Sequence, residues 1–138
     1  MRIRPATDSD LDAAYRLMAE LGYPNLSRAR FVETYRSVLE HPAMRVIVAE
    51  DDDGQVIGLA SMSTRPQLRL TSTLVTIDEF VIAGGDRGKG IGRELLNAAK
   101  EIASEIGARR LELETNRARE SYQRAFYIKK GLRKRIRR

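Results

Sequence analysis

The chain has 138 residues, 42% of them apolar, and a formal net charge of +6. That length suits one domain, spanning 1–138, with a core of its own. No apolar run approaches the roughly 18 residues of a membrane span. The opening MRIRPATDSD lacks the apolar stretch of a signal peptide, so a cytoplasmic protein is expected. The absence of cysteine excludes disulfides, thiolate nucleophiles and Cys-ligated zinc. With His41 as the single histidine, no metal site is expected.

Residues 2–5, RIRP, read as a short strand. A helix follows in DSDLDAAYRLMAEL, with Leu11, Ala14, Tyr15, Met18 and Leu21 at helical spacing and Gly22 as its stop. Ser27 caps a second helix with an apolar stripe of Phe31, Tyr35, Val38 and Leu39. His41-Pro42 ends it, because the residue before proline disfavours helical geometry. MRVIVAE (44–50) and QVIGLASMST (55–64) are strand-like runs joined by the acidic turn DDDG, a hairpin signal. TLVTIDEFVIA (73–83) is apolar on both faces and reads as a central strand.

A strong helix is expected over about 89–106, with a core face of Ile91, Leu95, Leu96, Ala99, Ile102, Ala103 and Ile106 before Gly107. RRLELET (109–115) alternates as a strand. RARESYQRAFYIKK reads as a final helix stopped by Gly131, and LRKRIRR as a last strand. The strand–helix–strand unit across 73–115 demands a parallel pair, whereas the hairpin demands an antiparallel one. The expectation is an α+β (mixed α/β) fold, a mixed sheet with helices on both faces.

The stretch GGDRGKGIGREL (84–95) carries the chemistry. A Walker A loop would need Ser or Thr after Lys89, where Gly90 stands. A dinucleotide fingerprint counted from Gly88 would need glycine where Arg93 stands. The spacing that fits is Arg-x-x-Gly-x-Gly, formed by Arg87, Gly90 and Gly92 between a buried strand and a long helix. Free amides at a helix N-terminus point outward, the helix dipole adds partial positive charge, and glycine lets an anion approach the backbone.

On those residues the segment FVIAGGDRGKGIGRELLNAAKE resembles the acetyl-coenzyme A loop of the GNAT superfamily of N-acetyltransferases. AFYIKKGL (125–132) resembles that family's late helix, and RPATDSDLDAAYRLMAELGY its opening. The likeness covers about residues 2–132. It implies a mostly antiparallel GNAT-like sheet with a splayed parallel pair, and acetyl-CoA as cosubstrate. It implies that the pyrophosphate rests on the amides of Arg87, Gly88, Lys89, Gly90, Ile91, Gly92 and Arg93. The pantetheine arm would add like a strand beside Phe80, Val81 and Ile82, with Asn116 also in reach.

The implied chemistry is direct attack by a primary amine on the thioester. Tyr127 matches the family's acid for the thiolate leaving group. As a helical residue it would lie with Glu120, Gln123 and Lys130 on a polar side, and Tyr122 is the substitute. Two acids interrupt the central strand in TIDEFVI, and an unpaired buried carboxylate is costly, so each should be paired or open to a cleft. Alternation puts Glu79 with Ile77 and Val81, and Asp78 with Phe80 and Ile82, on opposite faces. Family position favours Glu79 as the base, with Asp78 or a water as alternatives. His41 reads as a helix cap.

The acceptor pocket is expected between the first two helices, their loop (22–28) and segment 65–73. Glu33, Asp78, Glu79 and Glu112 are the acids that could attract a cationic amine of a small molecule or protein. The family often has proline where Gly84 stands, and many relatives have one more strand after the last one here. Three alternatives follow from the resemblance: a sheet that ends short, a truncated chain, or an edge supplied by a partner chain, as in a homodimer. The rival reading is a non-catalytic module binding acetyl-CoA or nucleic acid through the basic loop and tail. The lack of aromatic residues in that tail argues against nucleic acid.

Overall fold

The computed structural model describes residues 1–114, 123–128 and 132–137. Strand β1 (Arg2–Pro5) leads through a 3-10 turn into helix α1 (Leu11–Leu21). Helix α2 (Arg28–Glu40) follows, then β2 (Met44–Glu50), β3 (Val56–Gln67) and β4 (Ser72–Ile82). Helix α3 (Ile91–Ile106) separates β4 from β5 (Arg110–Glu114), and β6 (Gln123–Ile128) and β7 (Leu132–Arg137) end the described chain. The strands form one sheet in sequence order. Every neighbouring pair is antiparallel except β4–β5, which the α3 crossover makes parallel. Among the described residues no helix is long and apolar enough to cross a membrane.

The sheet is packed on both faces. On one side Leu95, Ala99 and Ala103 of α3 meet Ile47, Ala60, Met62, Val75, Ile77 and Leu111. On the other, Leu11, Ala14, Leu17 and Met18 of α1 and Tyr35 of α2 meet Val46, Val48, Leu59 and Val81. The apolar stripes of α2 and α3 are the ones their sequence spacing predicts, and in α1 the fully buried Leu17, which the predicted stripe omitted, joins Leu11, Ala14 and Met18. Local signals also act as expected: Ser27 Oγ accepts from the Arg30 amide at 3.3 Å, and His41 Nδ1 accepts from the Ala43 amide at 3.0 Å.

Three expectations need correction. The strand expected over 55–64 is longer, so much of segment 65–73, expected to help form the acceptor pocket, is strand. β3 runs on through Pro66 to Gln67, and only residues 68–71 turn before β4. The helix expected over 117–130 is, at Gln123–Ile128, a strand antiparallel to β5. The open row of β5 backbone groups offers a hydrogen-bonded edge, and aromatic and β-branched residues suit it. Finally, the acids of β4 do not follow simple alternation. Ser61 pairs with Glu79 but Met62 pairs with Ile77, so Asp78 is the extra residue of a β-bulge. Val75 and Ile77 face α3, and so do Phe80 and Ile82 two and four places past the bulge, while Val81 packs with α1 and α2. The phase has inverted. Glu79 shares a face with Val81 and not with Ile77.

A buried ion pair ties β1 to the start of α1. Arg4 Nη1 and Nη2 donate to Asp10 Oδ2 and Oδ1, each at 2.9 Å, and Arg4 Nε donates to Glu50 at 2.6 Å. The Arg4 guanidinium holds the buried Asp10 carboxyl below the usual carboxylate range, against the opposing effect of burial, and the Thr7 amide adds to it. A lowered folded-state value means that this stability is complete above the unfolded value of about 3.9 and is lost as pH falls through the folded one. Arg4→Met should cost about 3 kcal/mol by leaving Asp10 buried and unpaired. Urea titrations between neutral and acidic pH should show the wild type losing this increment in acid, and a flatter acid dependence for Arg4→Met.

Candidate functional site

The parallel pairing of β4 with β5 runs only from Leu74↔Arg110 to Ile77↔Leu113. β4 then continues through Asp78–Ile82, five residues with no β5 partner in that register. The bulge falls at this point of separation. Beyond it β4 keeps its other neighbour, with Gly58 opposite Ile82, Leu59 opposite Val81 and Ala60 opposite Phe80. One edge of Phe80, Val81 and Ile82 is therefore bonded to β3, and the other faces the opened gap.

The glycine loop follows directly. A 3-10 turn at Gly84–Asp86 leads to Gly88 and Gly90, with φ of 84° and 82°, and Gly90 caps α3. These left-handed conformations are open to glycine and strained for other residues. The first backbone bond into the helix is Glu94 N–H to Gly90 O at 3.2 Å. From Gly88 through Lys89, Gly90, Ile91 and Gly92 to Arg93, no amide donates to an acceptor among the described residues. Gly92 lies against the side chains of Phe80 and Ile82, each 3.9 Å from where its Cβ would stand.

Two of the three basic side chains here, Arg87 and Lys89, are already engaged. Arg87 Nε donates to Ile82 O at 3.2 Å, and its Nη2 meets Glu20 at 3.5 Å. Lys89 pairs with Asp86 at 3.2 Å. Glu20, on α1, also accepts from the Gly84 amide at 3.0 Å. A proline at position 84 would lack that N–H, so the departure from the family's common proline has a physical counterpart here. The unengaged donors of the loop, among the described residues, are its amides and the exposed Arg93 guanidinium, an arrangement suited to an anion of several oxygens.

Glu79 lies on the α1/α2 face and lines a pocket of about 110 Å³ with Met18, Phe31, Tyr35, Leu59 and Ser61. The Ser61 hydroxyl donates to Glu79 Oε1 and accepts from the Glu79 amide at 3.1 Å. A serine across the ladder therefore pairs with one of the two acids that the sequence expects to be paired or open to a cleft. Tyr35 donates its hydroxyl to Thr7 O at 2.8 Å, and burial pushes that hydroxyl up to about 12, so it stays protonated at any working pH. A larger open groove of about 910 Å³ runs between α3 and the β1–β2 edge and meets the loop through Lys89, Gly90 and Arg93. Glu79 lies outside it.

The other sequence candidates fall in different places. Glu33 is exposed on α2. Glu112 pairs with Arg110 at 3.1 Å on β5. Asn116 and Tyr122 lie outside the described residues. Tyr127 sits on β6 opposite Arg110, which in turn lies opposite Leu74 near the start of β4. That register does not bring it to the glycine loop, and the helix-face argument for its orientation no longer applies. Two residues were missed, Ser61 and Glu20. Ser61 carried a signal, a hydroxyl inside the apolar run QVIGLASMST. Glu20, an ordinary acid near a helix end, carried none.

The profile described as Acetyltransferase (GNAT) family matches residues 7–132. The aminoalkylphosphonate N-acetyltransferase of Salmonella typhimurium is 33% identical over 129 residues, 94% of this chain and 82% of that protein. The streptothricin acetyltransferase of Streptomyces lavendulae is 40% identical over 70 residues, 51% of this chain and 35% of that protein. Among solved structures, a transcriptional regulator from Bacillus halodurans C-125 superposes with a TM-score of 0.78 at 26% identity, covering 86% of this chain and 83% of the other. With the opened strand pair, the loop and all three helices inside the matched region, the chain belongs to the acetyltransferase (GNAT) family and is an N-acetyltransferase.

Proposed function

We propose that this protein transfers the acetyl group of acetyl-CoA to the primary amine of a small molecule by direct attack on the thioester. The observation that carries this reading is the pairing of two features on one strand. β4 presents Glu79 to a pocket between the sheet and α1 and α2 and, a few residues later, delivers the chain into a loop with six amides that have no acceptor among the described residues. The amides of Gly88–Arg93 would hold the pyrophosphate, and the open side of Phe80–Ile82 the pantetheine arm. Acetyl-CoA supplies the activated acyl group. Arg87 and Lys89 contribute less than the amides because each already has an acidic partner.

A primary amine with a pKa near 10 reaches the site mostly as its ammonium ion. Glu79 attracts that cation and accepts a proton from it, directly or through a water, so that the neutral nitrogen can attack the thioester carbon. The carbon–nitrogen bond forms, the carbon–sulfur bond breaks, and the CoA thiolate is protonated on leaving. Tyr127 is assigned this last proton transfer by its motif, not by its strand register. The pocket volume favours a compact amine over a protein lysine in its loop. The acceptors of the curated relatives, aminoalkylphosphonates and streptothricin, make small-molecule amines the first class to test.

Acetyl-CoA should raise the melting temperature of the wild type, and release of free CoA thiol should require an amine from a panel of alkylamines and aminoalkylphosphonates. No shift at millimolar acetyl-CoA would overturn the cofactor reading. Gly90→Val should remove the shift, because valine is strained at a φ of 82° and its side chain would cover the amides. Glu79→Gln should lower kcat by a hundredfold or more while leaving the acetyl-CoA shift intact, and a wild-type kcat would exclude Glu79 as the base. Tyr127→Phe should lower kcat about tenfold or more at unchanged cofactor affinity; full activity would remove Tyr127 from the mechanism.

A further inference from the structure

We infer that Ser61 is a positioning residue for Glu79, an inference that rests on the reading of Glu79 as the base. β3 is apolar and buried from Val56 to Met62 apart from this hydroxyl, and Ser61 itself is only 6% exposed. A hydroxyl in such a place is costly unless its hydrogen bonds are made. Both of its bonds go to one residue. The bulge at Asp78 carries the ladder from Met62↔Ile77 to Ser61↔Glu79. The Glu79 amide donates to Ser61 Oγ at 3.1 Å, so a lone pair of the hydroxyl receives the backbone and its single proton is left for the Glu79 carboxylate.

The consequence is directional. A glutamate side chain has three rotatable bonds and would lose its aim in a pocket lined by apolar groups. Here Oε1 is fixed by the same hydroxyl that fixes the backbone beneath it. Glu79 Oε2 makes no hydrogen bond among the described residues and is the oxygen left for the acceptor ammonium. The serine thus converts a backbone irregularity into a set carboxylate orientation.

Turnover is followed as CoA thiol release with an aminoalkylphosphonate as acceptor. Ser61→Ala should lower kcat about tenfold to a hundredfold, as loss of alignment does, with KM for acetyl-CoA unchanged. Ser61→Thr, which keeps the hydroxyl, should recover most of that loss. The double variant Ser61→Ala/Glu79→Gln should be no slower than Glu79→Gln alone, since the two residues act as one unit. A crystal structure of Ser61→Ala should show Glu79 in more than one rotamer, and a single unmoved rotamer would overturn the inference without reference to any acceptor. Should Ser61→Ala not fold, Ser61→Cys fills the same space with a weak donor, and wild-type kcat in it would equally overturn the inference. Wild-type kcat in Ser61→Ala beside a slow Glu79→Gln sinks the role of Ser61 and leaves the base standing. Wild-type kcat in Glu79→Gln sinks both.

Discussion

One extra residue in β4 is the constraint from which the rest of the site follows. The parallel ladder to β5 ends at Ile77, and Asp78 is the residue by which β4 outruns β3 immediately afterwards. A bulge increases local twist and bends the strand that carries it. At this place it coincides with the parting of two parallel strands that would otherwise close the sheet. It also inverts the phase of the side chains, so that Phe80 and Ile82 support α3 while Glu79 turns to the opposite face. The gap, the placement of Glu79 and the support of the glycine loop all lie downstream of this single irregularity.

The two faces of the sheet divide the work. α3 packs on one face through alanines and Leu95, a close fit that fixes its N-terminus just beyond the end of β4. Gly92 contributes to that fit by lying directly over Phe80 and Ile82. On the other face Met18, Phe31 and Tyr35 line a pocket together with Glu79. The Arg4–Asp10–Glu50 cluster and the Tyr35 hydroxyl hold α1 and α2 against β1 and β2, and so keep the pocket wall in place. Around the loop, charge is balanced locally by Glu20 and Asp86. Exposed ion pairs of that kind contribute little to stability. Their effect here is to leave the backbone amides and Arg93 as the unengaged donors of the loop among the described residues.

Much of the fold was legible because local and global preferences agree. The helical spacing in 89–106, the hairpin turn at DDDG and the glycine after each of α1 and α3 all specify what the structure shows. The glycine loop was legible for a different reason. Its function depends on missing side chains, and missing side chains are visible in a sequence. The pairing partners of the last segments were not legible. Residues 123–128 have a helical pattern by spacing, yet pair as a strand where the edge of β5 is open. Edge pairing is a tertiary event that propensity does not record.

The sequence by itself determined the kind and order of the elements up to residue 114, the parallel crossover, the glycine loop and the family resemblance, since each depends on periodicity or on residues close together in the chain. Only the tertiary structure decided which way the acids of β4 face. Alternation is a rule for an unbroken strand, and a bulge is a property of two strands whose register differs by one. Ser61 and Glu79 are 18 positions apart, and no local pattern joins them. They meet because β3 and β4 pair around an extra residue, and that meeting gives the carboxylate both a face and an aim.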